Sequence, residues 1–264
     1  MKLRYRKSYT ALSALILAFT LGTGLPDALA AGKSLNQSNQ KTGTEKPQAT
    51  GTPATMQDGY ALLTQGKYDA AAKVFSSLAA RSPEDFMAAQ YLDYAQLQTG
   101  LTQIRLHKFV SATSTFASII KRNPNSVHAR RYLAFSLIQT GELKQAIIQL
   151  QFIESLKKKT AFDSFLLGTA YELGAQSKDA VVYFMDAVQA DPGNDFYRLK
   201  AIDTLRGLAL YAKASALSQT GVQLATSEEI KQKYYTRMNQ IVSAERLANA
   251  TRHCRTEKAS AEAN

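Results

Sequence analysis

One cysteine and three histidines in 264 residues leave little material for cross-linked or metal-built architecture. Cys254 has no partner for an internal disulfide, so cross-linking contributes nothing to the fold. It lies in a polar C-terminal stretch and reads as a solvent-facing bystander, with an intermolecular disulfide as the alternative. His107, His128 and His253 share no metal-ligand spacing, whereas a zinc site needs about four converging ligands. The chain also lacks a glycine-rich phosphate loop outside Gly22-Thr23-Gly24, and no serine sits in a nucleophile elbow. Asp85, Asp93, Asp163, Glu172, Asp179, Asp186 and Asp203 are scattered, with nothing in the sequence to pair any two as a glycosidase dyad. No catalytic residue, cofactor or metal is expected, and the chain reads as a non-enzyme.

What is present begins with a leader. Lys2, Arg4, Arg6 and Lys7 precede an apolar run over 11–21, and Ala28-Leu29-Ala30 supplies the small-x-small pattern of a signal-peptidase site. The spacing predicts a signal peptide over residues 1–30 and a periplasmic or secreted mature protein. An uncleaved anchor is the alternative, but the apolar run falls short of the roughly 20 residues that span a bilayer. Residues 31–55 are rich in Gly, Ser, Thr, Asn, Gln and Lys. They cannot bury enough apolar surface to offset their ordering entropy, so a flexible linker is expected there, and a flexible tail over 251–264. Loss of the leader removes four basic residues and Asp27, taking the formal charge from +11 to +8. A nucleic-acid partner fits that charge but not export.

Between these ends a register recurs. Ala71/Phe75, Ala112/Phe116, Ala146/Leu150 and Ala180/Phe184 each place a small residue four before a large apolar one, at steps of 41, 34 and 34. Such spacing predicts stacked helical hairpins over 56–250, about four to five of them. Gly66, Gly100, Gly141 and Gly174 are the expected turns, and Pro83 is expected just inside the next helix. The 41-residue step puts seven extra residues after Gly100, around 101–110, as a lengthened second helix or, alternatively, an irregular loop. Residues 195–217 read as a fifth first helix without a turn glycine. Thr226 with Glu229 reads as a capping box for a final helix from Ser227 to about Ala250, whose apolar stripe is Ile230, Tyr234, Met238 and Ile241.

The succession Gly59, Gly66, Tyr68, Ala71, Phe75, Pro83, and again Gly168, Tyr171, Ala180, Phe184, Ala187, Pro192, resembles the tetratricopeptide repeat family. The resemblance implies an all-α, helical-hairpin solenoid closed by a C-terminal capping helix. It also implies a groove lined by the first helices, which in that family grips a peptide or a helix of a protein partner. Carried over by register, the groove takes Tyr60, Gln90, Tyr94, Leu97, His128, Arg131, Phe135, Gln139, Phe162 and Phe165. Aromatics there give contact area at small entropy cost, and amides satisfy an extended backbone.

Two functions fit. The first is a periplasmic adaptor or scaffold that holds a segment of a cell-envelope or secretion-system protein in this groove. The alternative is a basic surface that binds an anionic glycan or membrane through Lys121-Arg122, Arg130-Arg131 and Lys157-Lys158-Lys159.

Overall fold

The computed structural model describes residues 54–262, and those residues form eleven helices and no strand. The signal peptide and most of the linker lie outside the described residues. No described helix is long and apolar enough to cross a membrane. The chain divides after Pro124 into two compact units.

The first unit holds two hairpins, α1 (Met56–Thr64) with α2 (Tyr68–Arg81), and α3 (Phe86–Arg105) with α4 (Phe109–Arg122). Helix α1 starts from a reciprocal cap. The Asp58 amide donates to Thr55 Oγ1 at 3.3 Å and the Thr55 amide donates to Asp58 Oδ2 at 2.8 Å. Leu63, Ala71, Phe75, Tyr91, Leu92 and Ala95 form the core of this unit. The helices approach closely because the residue facing the large one is tiny. A Cβ on Gly59 would lie 2.4 Å from Phe75 Cζ, and one on Gly100 would lie 2.5 Å from Phe116.

That contact corrects the sequence reading of Gly100. It sits inside α3, buried against Phe116, and the left-handed turn falls at His107, with φ 56°. Gly59/Gly100, Gly66/His107, Ala71/Ala112 and Phe75/Phe116 all keep the step of 41. The additional residues therefore precede Gly100. They lengthen α3 to 20 residues at its N-terminal end, where Asp85 accepts from the amides of Met87 at 3.0 Å and Ala88 at 3.1 Å. Seven residues are nearly two turns, so the added turn preserves the buried face and sends Tyr91 and Leu92 into the core. Pro83 stands in the preceding turn, outside the helix that Asp85 caps.

The second unit continues with α5 (Val127–Thr140) and α6 (Leu143–Ser155), α7 (Ala161–Leu173) and α8 (Ser177–Ala190), then α9 (Asp195–Gly207) and α10 (Tyr211–Leu224), and ends in α11 (Glu228–Glu262). Residues 195–217 are thus not one helix. They turn at Ala209, which holds φ 57° without being glycine, and complete a fifth hairpin. In the same way the fourth turn uses Ala175 at φ 60°, while Gly174 stays at φ −78°. Ser227, not Thr226, caps α11, its Oγ accepting from the Ile230 amide at 3.3 Å. Tyr234 lodges on Gly221, where a Cβ would come within 2.2 Å of the ring, and joins Ile202, Leu205, Ala214 and Ile241 in a core. The helix runs on past Ala250 to Glu262, through a segment expected as a loose tail. That segment contains no Gly or Pro and is rich in Ala, Glu, Lys and Arg, all strong helix formers.

Candidate protein-interaction surface

In the first four hairpins the first helix is oriented by its small residue backing onto the large residue of its second helix. Gly59 meets Phe75, Gly100 meets Phe116 and Gly168 meets Phe184. Ala134 and Leu150, both fully buried, hold the same register in the third hairpin. With that side fixed, the neighbouring positions of α1, α3, α5 and α7 carry the groove residues expected from the sequence.

In the first unit these positions are partly open. Tyr60 is half-buried and meets Tyr91 edge-on at 4.6 Å and Phe75 at 5.9 Å. Burial and the neighbouring Tyr91 hold its phenol well above the ordinary range, so it remains a neutral ring with a donor. Tyr94 is half-buried against the same core, and its phenol is raised by burial and by Tyr68. Leu97 is half-buried and Gln90, on the extension of α3, is exposed. The exposed Phe86 and Met87 begin that extension.

In the second unit the picture differs. His128 is exposed and Gln139 half-buried, with both polar atoms of the Gln139 amide enclosed and unpaired. Partial loss of solvation and the Arg131 guanidinium lower the His128 pKa below the ordinary imidazole value, against the opposing charge of Asp163. Arg131, Phe135, Phe162 and Phe165 are all at most 5% exposed. Phe165 stacks in a ring cluster with Phe196 at 5.1 Å, Tyr197 at 5.3 Å and Phe184 at 5.6 Å. Arg131 is locked by a two-point ion pair, Nε to Asp163 Oδ1 at 2.6 Å and Nη2 to Oδ2 at 2.8 Å, and Asp163 is itself fully buried. A guanidinium so engaged ties α5 to α7 and is not displayed to a partner.

Sequence reasoning passed over Asp163, although Thr160-x-x-Asp163 carries the capping-box spacing. Asp163 Oδ2 accepts from the Thr160 amide at 2.9 Å while also taking Arg131. Arg198 was missed too. It is 1% exposed and donates to Asp195 and to the Tyr234 hydroxyl, both at 2.9 Å, fastening α11 to α9.

The basic clusters separate by burial. Arg130 lies over the Phe152 ring at 3.6 Å and bonds Gln149, so with Arg131 it faces inward. Lys159 pairs with Glu154 at 2.6 Å and Asp186 at 3.3 Å. Lys121, Lys157 and Lys158 remain exposed. The Arg130-Arg131 cluster therefore drops out of any anion-binding surface. Among the described residues, no group of three or more His, Cys, Asp or Glu converges as a metal site.

No protein-family model matches the sequence, and no curated protein matches it. Solved structures do match. A tetratricopeptide repeat protein from Parabacteroides merdae is 13% identical with a TM-score of 0.53, over 72% of this chain and 74% of that one. The MamA protein is 20% identical with a TM-score of 0.52, over 68% of this chain and 92% of its own. Yeast Tom70 is 16% identical with a TM-score of 0.50, over 72% of this chain but 39% of Tom70. At these identities the likeness concerns the fold. The fold is an all-α, tetratricopeptide-type solenoid, as the resemblance of its motifs implied.

Proposed function

We propose that the protein is a non-catalytic scaffold that holds a segment of a partner protein along the first-helix faces, after export to the periplasm or the cell exterior. The observation that carries this reading is the split within the repeat. Small–large pairs fix the helices within each unit, which leaves Gln90, Tyr94 and Leu97 on α3 of the first unit, and His128 on α5 of the second, each at least partly open. Half-open aromatic rings beside amides are the side chains that anchor a peptide or an amphipathic helix. Export rests on the basic–apolar–small order of residues 1–30. A cell-envelope partner follows from that address.

The buried state of Arg131 and Phe165 decides how the reading is tested, because alanine at either position would damage packing along with binding. A photo-crosslinking residue placed at Gln90 or at His128, both exposed, should give a discrete adduct in cells. The same residue at Ser76 on α2 or Lys213 on α10, also exposed, should not. Equal adducts from all four positions would overturn the assignment of the face. N-terminal sequencing of the mature protein should begin at Ala31, and an intact Met1 on the folded product would overturn the export reading.

A further inference from the structure

The outer sides of the second helices in the second unit carry a repeated pattern that packing does not use. Ile148 on α6 and Val182 on α8 hold one register position, 34 residues apart, and are 60% and 57% exposed. Met185, one turn further along α8, is 39% exposed. The fold does not require large aliphatic residues there. In the first unit the positions equivalent to Ile148 are Lys73 and Ser114, and those equivalent to Met185 are Ser76 and Ala117, all exposed.

A lysine stands one turn before that position on each helix. Lys144 precedes Ile148, Lys178 precedes Val182, and Lys213 precedes the exposed Ala216, which holds the same position on α10 within the repeat. All three lysines are exposed, and none enters an ion pair among the described residues. They are the second, second and third residues of α6, α8 and α10. The first turn of a helix favours an acid, because its unpaired amides leave partial positive charge there. Helix stability therefore does not account for a cation at that point three times in succession. Asp179 is the one exposed acid on these helices, since Glu154 and Asp186 are engaged by Lys159.

The combination points to a partner. Three unpaired ammonium groups against one carboxylate repel a second copy of the same face and attract an anionic surface. A glycan would need an open ring to stack on, but the half-buried rings of α6 and α8 are covered, Phe152 by Arg130 at 3.6 Å and Tyr183 by Tyr171 at 5.3 Å. Open aliphatic side chains beside lysines on flexible stems match a phospholipid surface. The aliphatic ends reach the acyl boundary while the stems lift the ammonium groups to the phosphates. We propose that the outer face of α6, α8 and α10 docks on an anionic phospholipid surface, with Lys144, Lys178 and Lys213 at the headgroups and Ile148, Val182 and Met185 entering below them. None of these lysines belongs to the basic clusters that the sequence offered for such a surface. The face is separate from the first-helix positions, so either reading can fail without the other, and a lipid-facing Lys213 gives no discrete protein adduct.

Co-sedimentation with vesicles tests this, using the chain from Ala31, which keeps every described residue and removes the apolar leader as a second membrane binder. The protein should sediment with vesicles of phosphatidylcholine and phosphatidylglycerol in equal parts, and not with phosphatidylcholine alone. Lys144→Gln/Lys178→Gln/Lys213→Gln should weaken binding about 100-fold, at roughly fivefold per lysine, with an unchanged or higher denaturation midpoint. The same charge removed at the exposed Lys121, Lys157 and Lys158 should weaken it by less than about fivefold. Ile148→Gln/Val182→Gln, which leaves the charge alone and replaces two exposed side chains, should weaken it about tenfold. The proposal is overturned if the anionic vesicles leave the protein in solution, if the two lysine triples weaken binding equally, or if the glutamine pair binds as tightly as the parent. Tighter binding to immobilised polyglutamate than to the vesicles would also overturn it, in favour of an acidic protein.

Discussion

Gly168→Ala is the substitution that tests the packing logic most directly, because two well-known effects oppose each other. Within a helix, alanine is favoured over glycine by about 1 kcal/mol. At this position, however, the new Cβ would lie 2.6 Å from Phe184 Cδ1 and 2.7 Å from Cε1, with the Ala180 carbonyl oxygen at 3.1 Å. The Phe184 ring is fully buried and packs on Phe165 at 5.6 Å, so it has no open space into which to swing. Overpacking of this kind costs about 1–3 kcal/mol beyond the propensity gain, and we expect a net loss of about 1–2 kcal/mol. The third hairpin already contains the compensated solution, Ala134 with Leu150. Phe184→Leu alone should cost about 1–2 kcal/mol through the space it leaves. Gly168→Ala/Phe184→Leu should then cost no more than the worse single variant, a favourable coupling of about 1–2 kcal/mol. Urea unfolding followed by far-ultraviolet circular dichroism measures all four corners of the cycle. Stabilisation by Gly168→Ala, or additivity of the two losses within about 0.5 kcal/mol, would refute the reasoning.

Three further outcomes follow from the same structure. Ala175→Gly and Ala209→Gly relieve left-handed backbone at φ 60° and 57° and should each stabilise by about 1 kcal/mol in denaturant titrations, whereas Gly141→Ala at φ 87° should destabilise by a similar amount. Arg131→Met leaves the fully buried Asp163 without its guanidinium and should cost about 3–5 kcal/mol by chemical denaturation, while Arg122→Met, on a pair with both side chains 23–34% exposed, should cost about 1 kcal/mol or less. Tyr197 is buried, and burial followed by the charges of Asp191 and Asp163 pushes its phenol up to about 12. Its neutral form is favoured in the folded state, so the unfolded chain releases this proton first. The contribution of Tyr197 is complete below pH 10 and is lost as pH rises from about 10 to 12, up to about 2 kcal/mol. Tyr197→Phe should therefore move alkaline unfolding, followed by phenolate absorbance, to higher pH, and an unchanged midpoint would contradict the burial argument.

The buried register was open to reading from the chain alone. Ala71, Ala112, Ala146 and Ala180 are all fully buried, as are Phe75, Phe116, Leu150 and Phe184. Periodic small–large spacing reports helix packing directly, because only one side of each helix can touch its partner. Turns were less legible. Gly100 as a packing glycine and Gly66 as a turn glycine are the same letter, and His107, Ala175 and Ala209 adopt left-handed backbone with no residue type to announce it. The second helix of the fifth hairpin was merged into its first for a related reason. It reverses the pair, setting Ile202 on the first helix and Ser218 on the second, both fully buried.

Of the proposed surface, the sequence located the helices, and of the residues it named, the structure leaves Gln90 and His128 exposed and Tyr94 and Leu97 half-buried. It did not distinguish these from Arg131, which looks like a binding cation in one dimension and is the buried half of an ion pair in three. By itself, then, the sequence determined the repeat, its period and the residues that must be buried to stack it, because those depend on spacing along one helix. The tertiary structure decided where the extra turns fall, which residues make the left-handed turns and which charges are neutralised inside. Each of these depends on which side chains from different helices arrive at the same place.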